Sequence, residues 1–376
     1  MPLASLHRAQ SSPRRRSPLR TWPVFPIPIP PLELTTRAID LACGAAAPLV
    51  QSAALDRLSS YHLAHADLAE ALDAVRRRGD VLATVPLDES SGFQFNVYLL
   101  RASEIHLAAG NLALAAHHAD TLAELTCYRE QGYPAIARRI KVDAIAGDLE
   151  RAVTGGERFL IAWERAGRPR ATTLNTATYV MTMVHGLLGD ERRRRQWVDV
   201  TTTLMSAPKL LTSCVTGWAP TFDALVALDR DQPDLALARL SADVDAPGVW
   251  SNWAAAMWRP WYAALWAEAA VLGQHPDTQS RLHRSIAATI ENPIASAMLQ
   301  RAADLANGDH HALRTRARTF AELGCRYQQR RTETLLNSAP PPDSAPLRPC
   351  GPEGVTPLGE RARPGPSRVS SRSRSW

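Results

Sequence analysis

This chain of 376 residues lacks the signatures of the common catalytic and nucleotide-binding sites. It contains no Gly-Lys pair, so it cannot form the phosphate-binding loop Gly-x-x-x-x-Gly-Lys-Ser/Thr, which depends on that lysine. The dinucleotide pattern Gly-x-Gly-x-x-Gly, the hydrolase elbow Gly-x-Ser-x-Gly and the zinc pattern His-Glu-x-x-His are also absent. We therefore expect no catalytic and no cofactor-binding residues, and we predict that the chain is not an enzyme.

Cysteine is scarce and scattered. The five cysteines include no Cys-x-x-Cys pair and lie far apart, at Cys43, Cys127, Cys214, Cys325 and Cys350. This spacing favours neither a disulfide framework nor a zinc site, and it is typical of a reducing cytoplasm. The histidine pairs His117-His118 and His310-His311 are adjacent, and adjacent helical side chains diverge by about 100°. We therefore predict no metal site.

Long apolar runs are missing too. No stretch approaches the roughly 20 apolar residues that span a bilayer. The N-terminal segment places arginines before an apolar stretch, as an export signal does, but five prolines between Pro23 and Pro31 would break the helical core of such a signal. We expect no membrane association and a cytoplasmic location.

Lysine is nearly absent, and the basic charge lies in the two ends of the chain. The formal net charge is +6, yet residues 1–32 contribute +5 and residues 338–376 contribute +3, which leaves the middle at −2. Both ends are rich in Pro, Ser and Arg, and such segments bury too little apolar surface to fold. We predict disordered tails at 1–32 and 338–376, and nucleic-acid binding, if present, only through these tails.

The middle of the chain repeats a turn signature. An apolar stretch followed by Gly and then Asp or Asn occurs at Gly110, Gly147, Gly189 and Gly308, and Ala66-Asp67 has the same form. Gly ends a helix in the left-handed conformation, and the following polar side chain caps the next helix. With weaker matches at Asp231 and Gly273, the steps are 44, 37, 42, 42, 42 and 35 residues. This period predicts an all-α fold, an α-solenoid of about seven antiparallel helical hairpins over 33–337, similar to tetratricopeptide repeats.

Tryptophan is concentrated in VWSNWAAAMWRPWYAALWAE, which begins at Val249 and holds five of the ten tryptophans. Pro260 favours a helix over about 259–273 with proline in its first turn. In that helix Trp261 and Trp266 lie on two adjoining apolar faces, which is typical of a helix packed between neighbours. Trp250 and Trp253 precede the helix, so we expect them to reach an exposed groove and to be candidate partner-binding residues.

Four consecutive arginines, Arg192, Arg193, Arg194 and Arg195, follow the turn at Gly189-Asp190. Cations at the start of a helix oppose its macrodipole, so an acidic or phosphorylated partner could compensate them. The simpler interpretation is a solvated first turn. We keep these arginines as candidate partner-binding residues.

Several phrases resemble a known family. GDLERAV, WRPWYAALWAEAAVLG, ENPIASAMLQRAADLANGD and FAELGCRYQQRRTETLL are similar to the helical-repeat segment of LuxR-type ATP-dependent transcriptional regulators and cyclase-linked ATPases of actinobacteria, over about 49–336. The resemblance implies a sensor and interaction surface built from tetratricopeptide-like repeats. The family's ATPase module and helix-turn-helix find no counterpart in the printed sequence, so neither activity is carried over.

The sequence therefore leaves three hypotheses open. The first is a non-enzymatic helical-repeat module of a regulatory system that binds a protein or peptide in its groove. The second is a DNA-associated transcriptional regulator that uses its basic tails. The third is a truncated remnant of a larger ATPase-regulator.

Overall fold

The computed structural model describes residues 31–125, 132–205, 208–246, 249–250 and 252–338, and these residues form α-helices, one 3-10 turn at Thr172–Leu174, connecting turns and no strand. In chain order the helices are α1 Leu32–Gly44, α2 Pro48–Ala64, α3 Leu68–Ala83, α4 Gly92–Ala108, α5 Leu112–Glu124, α6 Tyr133–Ala146, α7 Leu149–Arg165, α8 Asn175–Leu187, α9 Glu191–Leu204, α10 Pro208–Asp229, α11 Pro233–Arg239, α12 Trp253–Ala256, α13 Arg259–Leu272, α14 Thr278–Thr289, α15 Pro293–Ala306, α16 His310–Glu322 and α17 Arg326–Ser338. The all-α prediction is confirmed.

The predicted disordered tails lie almost entirely outside the described residues. The first described helix begins at Leu32 and the last ends at Ser338. Only residues 31, 32 and 338 of the two predicted tails are described. The disorder of residues 1–32 and 338–376 therefore stays a prediction.

The turn signature marks the places where described helices end. The backbone has a positive φ at six of the seven predicted positions, which are Ala66, Gly110, Gly147, Gly189, Asp231 and Gly308. The seventh prediction is wrong by one residue, because Gly273 has a φ of −84° and Gln274 has a φ of 50°. Each of these turns joins two helices that pack against each other.

The predicted polar caps form at only some of these turns. Asp67 accepts a hydrogen bond from the backbone N of Glu70 at 3.2 Å, and Asp190 accepts one from Arg193 N at 2.9 Å. Asp309 caps α16 in the same way. Asn111 and Asp148 stand at the N-cap of their helices but make no side-chain cap hydrogen bond. Residue type at the turn therefore predicts the helix start better than it predicts the cap bond.

Distant turns contact each other. Asn292, in the turn between α14 and α15, donates from Nδ2 to the carbonyl of Ala108 at 2.7 Å. Glu291 accepts from the backbone N of Leu68 at 2.9 Å, so a carboxylate lies at the start of α3. The thiol of Cys325 donates to the carbonyl of Ile145 at 3.3 Å. The C-terminal helices therefore pack directly on the turns of the N-terminal helices.

A second set of contacts crosses the interior. The short helix α12 packs against α2 and α10, and it belongs to a connection between α11 and α13 that folds inward. One continuous apolar cluster extends from Leu63 in α2 to Tyr327 in α17. The apolar core is therefore continuous across the described helices from α2 to α17. None of the described helices is long and apolar enough to cross a bilayer.

Candidate binding surfaces

The tryptophan-rich segment is an element of internal packing. Helix α13 begins at Arg259 with Pro260 in its first turn, as predicted, and Trp258, Trp261 and Trp266 are at most 4% exposed. The helix packs against α14, its partner across the turn, and against α10 and α15. The prediction that both of its apolar faces meet neighbours is confirmed.

The expected exposure of Trp250 is wrong. Its ring is 6% exposed and stands edge-on to the ring of Tyr262, with 5.1 Å between the centroids. Trp250 does precede α13, but its position outside the helix does not leave it exposed. The connection instead folds back against α13, where Tyr262 donates its hydroxyl hydrogen to the carbonyl of Ala242 at 2.7 Å.

Trp253 is half-buried and already has a cationic neighbour. The guanidinium carbon of Arg101, in α4, lies 3.8 Å from the centroid of the Trp253 ring. Stacking of this kind is attractive because the ring face is electronegative. A partner that used the covered face of Trp253 would have to displace Arg101.

The four arginines open α9. Arg192, Arg193 and Arg195 are exposed, whereas Arg194 is part-buried and lies 3.4 Å from Glu191 Oε2. Glu191 also pairs with Arg230 at 2.6 Å, and these two arginines hold the pKa of its carboxyl below the usual value. Acidic groups at the helix start, Glu191 and the cap Asp190, therefore already offset part of the positive charge. Partner binding by the arginines stays a prediction.

A cavity lies elsewhere among the described residues, between α14 and α15. It has a volume of about 590 Å³ and is called the α14–α15 groove below. The residues that line it are Gln279, Leu282, His283, Ile286, Thr289, Ile290, Ser296, Leu299, Gln300, Ala303, Ala306 and Asn307. Sequence reasoning did not find this groove.

The spacing of α14 explains how the groove forms. Arg281 and Arg284 lie 4.6 and 5.5 Å from the ring of Trp266, so they face α13. Arg284 also forms ion pairs with Asp243 and Asp245, in the connection before α13. The arginines of α14 therefore lie on the side of the helix toward α13. Leu282 and Ile286, which are four residues apart, share the face toward α15.

The groove combines exposed apolar side chains with neutral polar ones. Ile286 is 50% exposed and Ile290 is 71% exposed, while Leu299 in the floor is 7% exposed. The twelve lining residues include no Asp, Glu, Lys or Arg. The arrangement therefore suits an uncharged apolar surface, and long-range charge contributes little to binding there.

The histidines lie in a contact that the sequence did not indicate. His106 of α4 and His118 of α5 stack with 5.2 Å between ring centroids. Burial, with a smaller contribution from the neighbouring imidazoles, lowers the pKa of His118 to about 4. Among the described residues, no three His, Cys, Asp or Glu side chains come together as metal ligands.

No family model, curated protein or solved structure matches this chain. The resemblance to the helical-repeat segment of LuxR-type regulators therefore stays a prediction, as do the regulatory role and the tail-based binding of DNA. The function has to be argued from the geometry of the described helices.

Sequence reasoning missed the α14–α15 groove for a specific reason. Leu282, Ile286 and Ile290 repeat every four residues, and this spacing was visible in the sequence. The same spacing also fits an ordinary buried helix face, such as that of α13. Only the positions of α13 and α15 show that part of this apolar face stays open.

Proposed function

We propose that this chain is a non-enzymatic helical-repeat interaction module, and that it binds an amphipathic helix of a protein partner in the α14–α15 groove. The observation that carries the proposal is the pair of exposed isoleucines, Ile286 and Ile290, over an apolar floor in the α14–α15 groove. A role in a regulatory system, as the resemblance implies, is part of the same proposal.

The helical turns support a repeat module. Seven positive-φ turns lie about 40 residues apart from Ala66 to Gly308, and each joins two packed helices; one further turn, at Gly167–Arg168, falls between two of them. We propose that these pairs are the successive hairpins of a tetratricopeptide-like α-solenoid. The contacts between distant turns then make it a tightly wound solenoid, so its binding surface lies on the outside.

The lining of the groove defines the chemistry of the partner. A cavity of about 590 Å³ holds several large side chains, and α15 offers a lining of four turns of helix. Amphipathic helices bind such grooves with apolar anchors at positions i, i+3 or i+4, and i+7. Because the lining has no charged side chain, the inserted face of the partner is expected to be uncharged.

The exposure of the two isoleucines determines how much their substitution should weaken partner binding. Complete burial of an Ile side chain is worth about 1.5–3 kcal/mol, and 50% of that remains to be gained at Ile286 and 71% at Ile290, in line with their exposed fractions. Substitution by Asp also places a charge against an apolar partner surface, which adds a desolvation cost. We expect the two effects together to weaken binding by about a hundredfold.

The test uses a displayed library of helical peptides with a randomised apolar face, selected on the full chain. Selected peptides are expected to bind one per chain, to lose about a hundredfold in affinity on Ile286→Asp or Ile290→Asp, and to bind with little dependence on salt. The matched control is Ile161→Asp, because Ile161 on α7 is 52% exposed but lies outside the groove.

Two outcomes contradict the proposal. The first is equal loss of binding with Ile161→Asp, which would indicate a general effect of surface charge. The second is binding that falls steeply with salt and survives both groove substitutions, which would favour the arginine-rich ends of the chain.

A further inference from the structure

A group of buried charges surrounds the inner face of α4. Its side chains are at most 15% exposed and come from α2, α3, α4 and α6. The members are Asp56, Arg78, Arg101, Glu104, Arg138 and Lys141, and they are called the α4 charge cluster below. Four cations face two carboxylates, so the cluster carries two positive charges in excess.

The contacts within the cluster show where the charge is compensated. Arg78 pairs with Asp56 at 2.6 Å, and Lys141 donates to Glu104 Oε1 at 2.9 Å. Burial opposes ionisation of Glu104, but the surrounding cations outweigh it and lower the pKa of that carboxyl to about 2. Burial also lowers the pKa of Lys141, although Glu104 partly opposes this change. Each carboxylate is therefore shared by two of the four cations.

Arg101 and Arg138 are left with incomplete hydrogen bonding. Arg101 reaches Asp56 only at 3.4 Å, and Arg138 reaches Glu104 at 3.3 Å and the carbonyl of Thr173 at 3.4 Å. Arg101 Nη1 and Arg138 Nε are buried and have no acceptor among the protein atoms. The Arg138 side chain is only 3% exposed. Guanidinium donors without acceptors at such depth are costly, so they are expected to have a partner.

Arg101, next to Trp253, forms the outer end of the cluster. Arg101 is the most exposed of the four cations, at 13%, and its guanidinium plane stacks on the half-buried ring of Trp253. An arginine held by its face against a ring keeps its N–H edge available for an oxyanion. Trp253 thus holds Arg101 in place at the outer end of the cluster.

We propose that the α4 charge cluster binds one small oxyanion, a phosphate or a carboxylate, through the guanidinium groups of Arg101 and Arg138. The anion would supply the missing acceptors and neutralise part of the excess charge. The site lies apart from the α14–α15 groove and does not depend on the helix-binding function proposed above.

The test is a calorimetric titration of the full chain with inorganic phosphate, and separately with acetate, at neutral pH and constant ionic strength. We expect saturable binding of one anion per chain. Removal of a guanidinium that contacts the anion is expected to weaken binding at least about tenfold in Arg101→Met and in Arg138→Met. The matched control is Arg314→Met, at an exposed arginine of α16 outside the cluster, and it is expected to keep the affinity of the unmodified chain.

Comparison of the two anions identifies the chemical class of the natural ligand. A response to phosphate alone indicates a phosphate or phosphate ester, and a response to acetate indicates a carboxylate such as a peptide terminus. Thermal unfolding gives a second measurement, because an anion at free concentration c that binds only the folded chain stabilises it by RT ln(1 + c/Kd) and so raises Tm. That rise should be retained in Arg314→Met and smaller in Arg101→Met, a comparison that also removes the general stabilising effect of these salts.

Three results would overturn the proposal. They are the absence of binding by either anion, unchanged affinity in both Arg101→Met and Arg138→Met, and loss of binding in Arg314→Met. If Arg138→Met does not fold, Arg101→Met decides alone, since Arg101 lies nearer the surface.

Discussion

The substitution Glu268→Gln removes the charge at the centre of a fully buried ion triad. Glu268 lies on α13 and is 0% exposed. Its Oε2 accepts from Arg301 Nη2 of α15 at 2.6 Å, and its Oε1 accepts from Nε and Nη2 of Arg331, in α17, at 3.1 and 2.7 Å. Burial opposes ionisation, but the two guanidiniums outweigh it and keep the pKa of this carboxyl below its usual value. One carboxylate therefore joins three helices.

The size of the destabilisation follows from the contacts with the two arginines that a glutamine amide cannot make. Glutamine keeps the volume and one acceptor oxygen, but its amide nitrogen would face a guanidinium, so donors would meet donors. Breaking a buried ion pair by removal of one partner costs about 3–5 kcal/mol, because the remaining charge stays buried. With two guanidiniums left, we expect a loss of about 4 kcal/mol in the free energy of unfolding, out of the roughly 5–15 kcal/mol typical of a domain.

The assay is urea denaturation followed by tryptophan fluorescence, which reports on this region because Trp261 and Trp266 lie on the same helix as Glu268. The midpoint is expected to fall by about 1 M or more. The control is Glu157→Gln, the same change at an exposed position in the middle of α7. A loss below about 1 kcal/mol with an unchanged m value would refute the reasoning that the triad links these helices.

Three other predictions concern a turn, a histidine and a thiol. Gly147→Ala should lower the free energy of unfolding more than Gly189→Ala does, because both residues have a positive φ but only at Gly147 would the new Cβ overlap the backbone of Tyr327. In chemical denaturation we expect a loss of about 1 kcal/mol for Gly189→Ala and at least twice that for Gly147→Ala. Equal losses would contradict the close approach of Gly147 and Tyr327. His118 is held neutral with a pKa of about 4, so the free energy of unfolding should fall by about 1–2 kcal/mol, after solvent screening, as the pH drops from about 6.5 toward 4. Denaturation curves measured at a series of pH values should show a weaker pH dependence of this free energy in His118→Gln than in the unmodified chain. The same pH dependence in both proteins would argue against the lowered pKa of His118. Burial raises the pKa of the Cys325 thiol to about 12, so this thiol should react slowly with alkylating reagents. Alkylation followed by peptide mapping should label the exposed Cys43 and leave Cys325 unmodified until the chain unfolds. Rapid labelling of Cys325 in the native protein would show that its contact with Ile145 opens.

The turns were the most predictable part of the fold, since they depend on local chemistry. Gly110, Gly147, Gly189 and Gly308 each adopt the left-handed conformation that a Gly-Asp or Gly-Asn pair indicates. The start of α13 at Arg259 was predictable for the same reason, because Pro260 suits a first helical turn. The turn predicted at Gly273 was wrong by one residue, because the next residue, Gln274, adopts the left-handed conformation.

The binding surfaces were not predictable, since they depend on which distant elements meet. Arg101 and Trp253 stack although 152 positions separate them, and no local pattern at either residue indicates the other. Trp250 has no helical periodicity to reveal that it packs on Tyr262. The opening between α14 and α15 depends in the same way on where α13 lies. Local sequence therefore determined where helices begin and end, whereas their long-range arrangement determined what remains accessible.

The contacts between distant turns also bear on how the chain folds. Glu291 and Leu68 are separated by 223 residues, and Cys325 and Ile145 by 180 residues. In an open repeat array each unit touches only its neighbours, so such a chain can gain or lose units from an end one at a time. Here the first turns are incomplete until the last helices reach them, and contacts of such long sequence separation form slowly. The two ends of the described chain should therefore become ordered together, in a single late cooperative step.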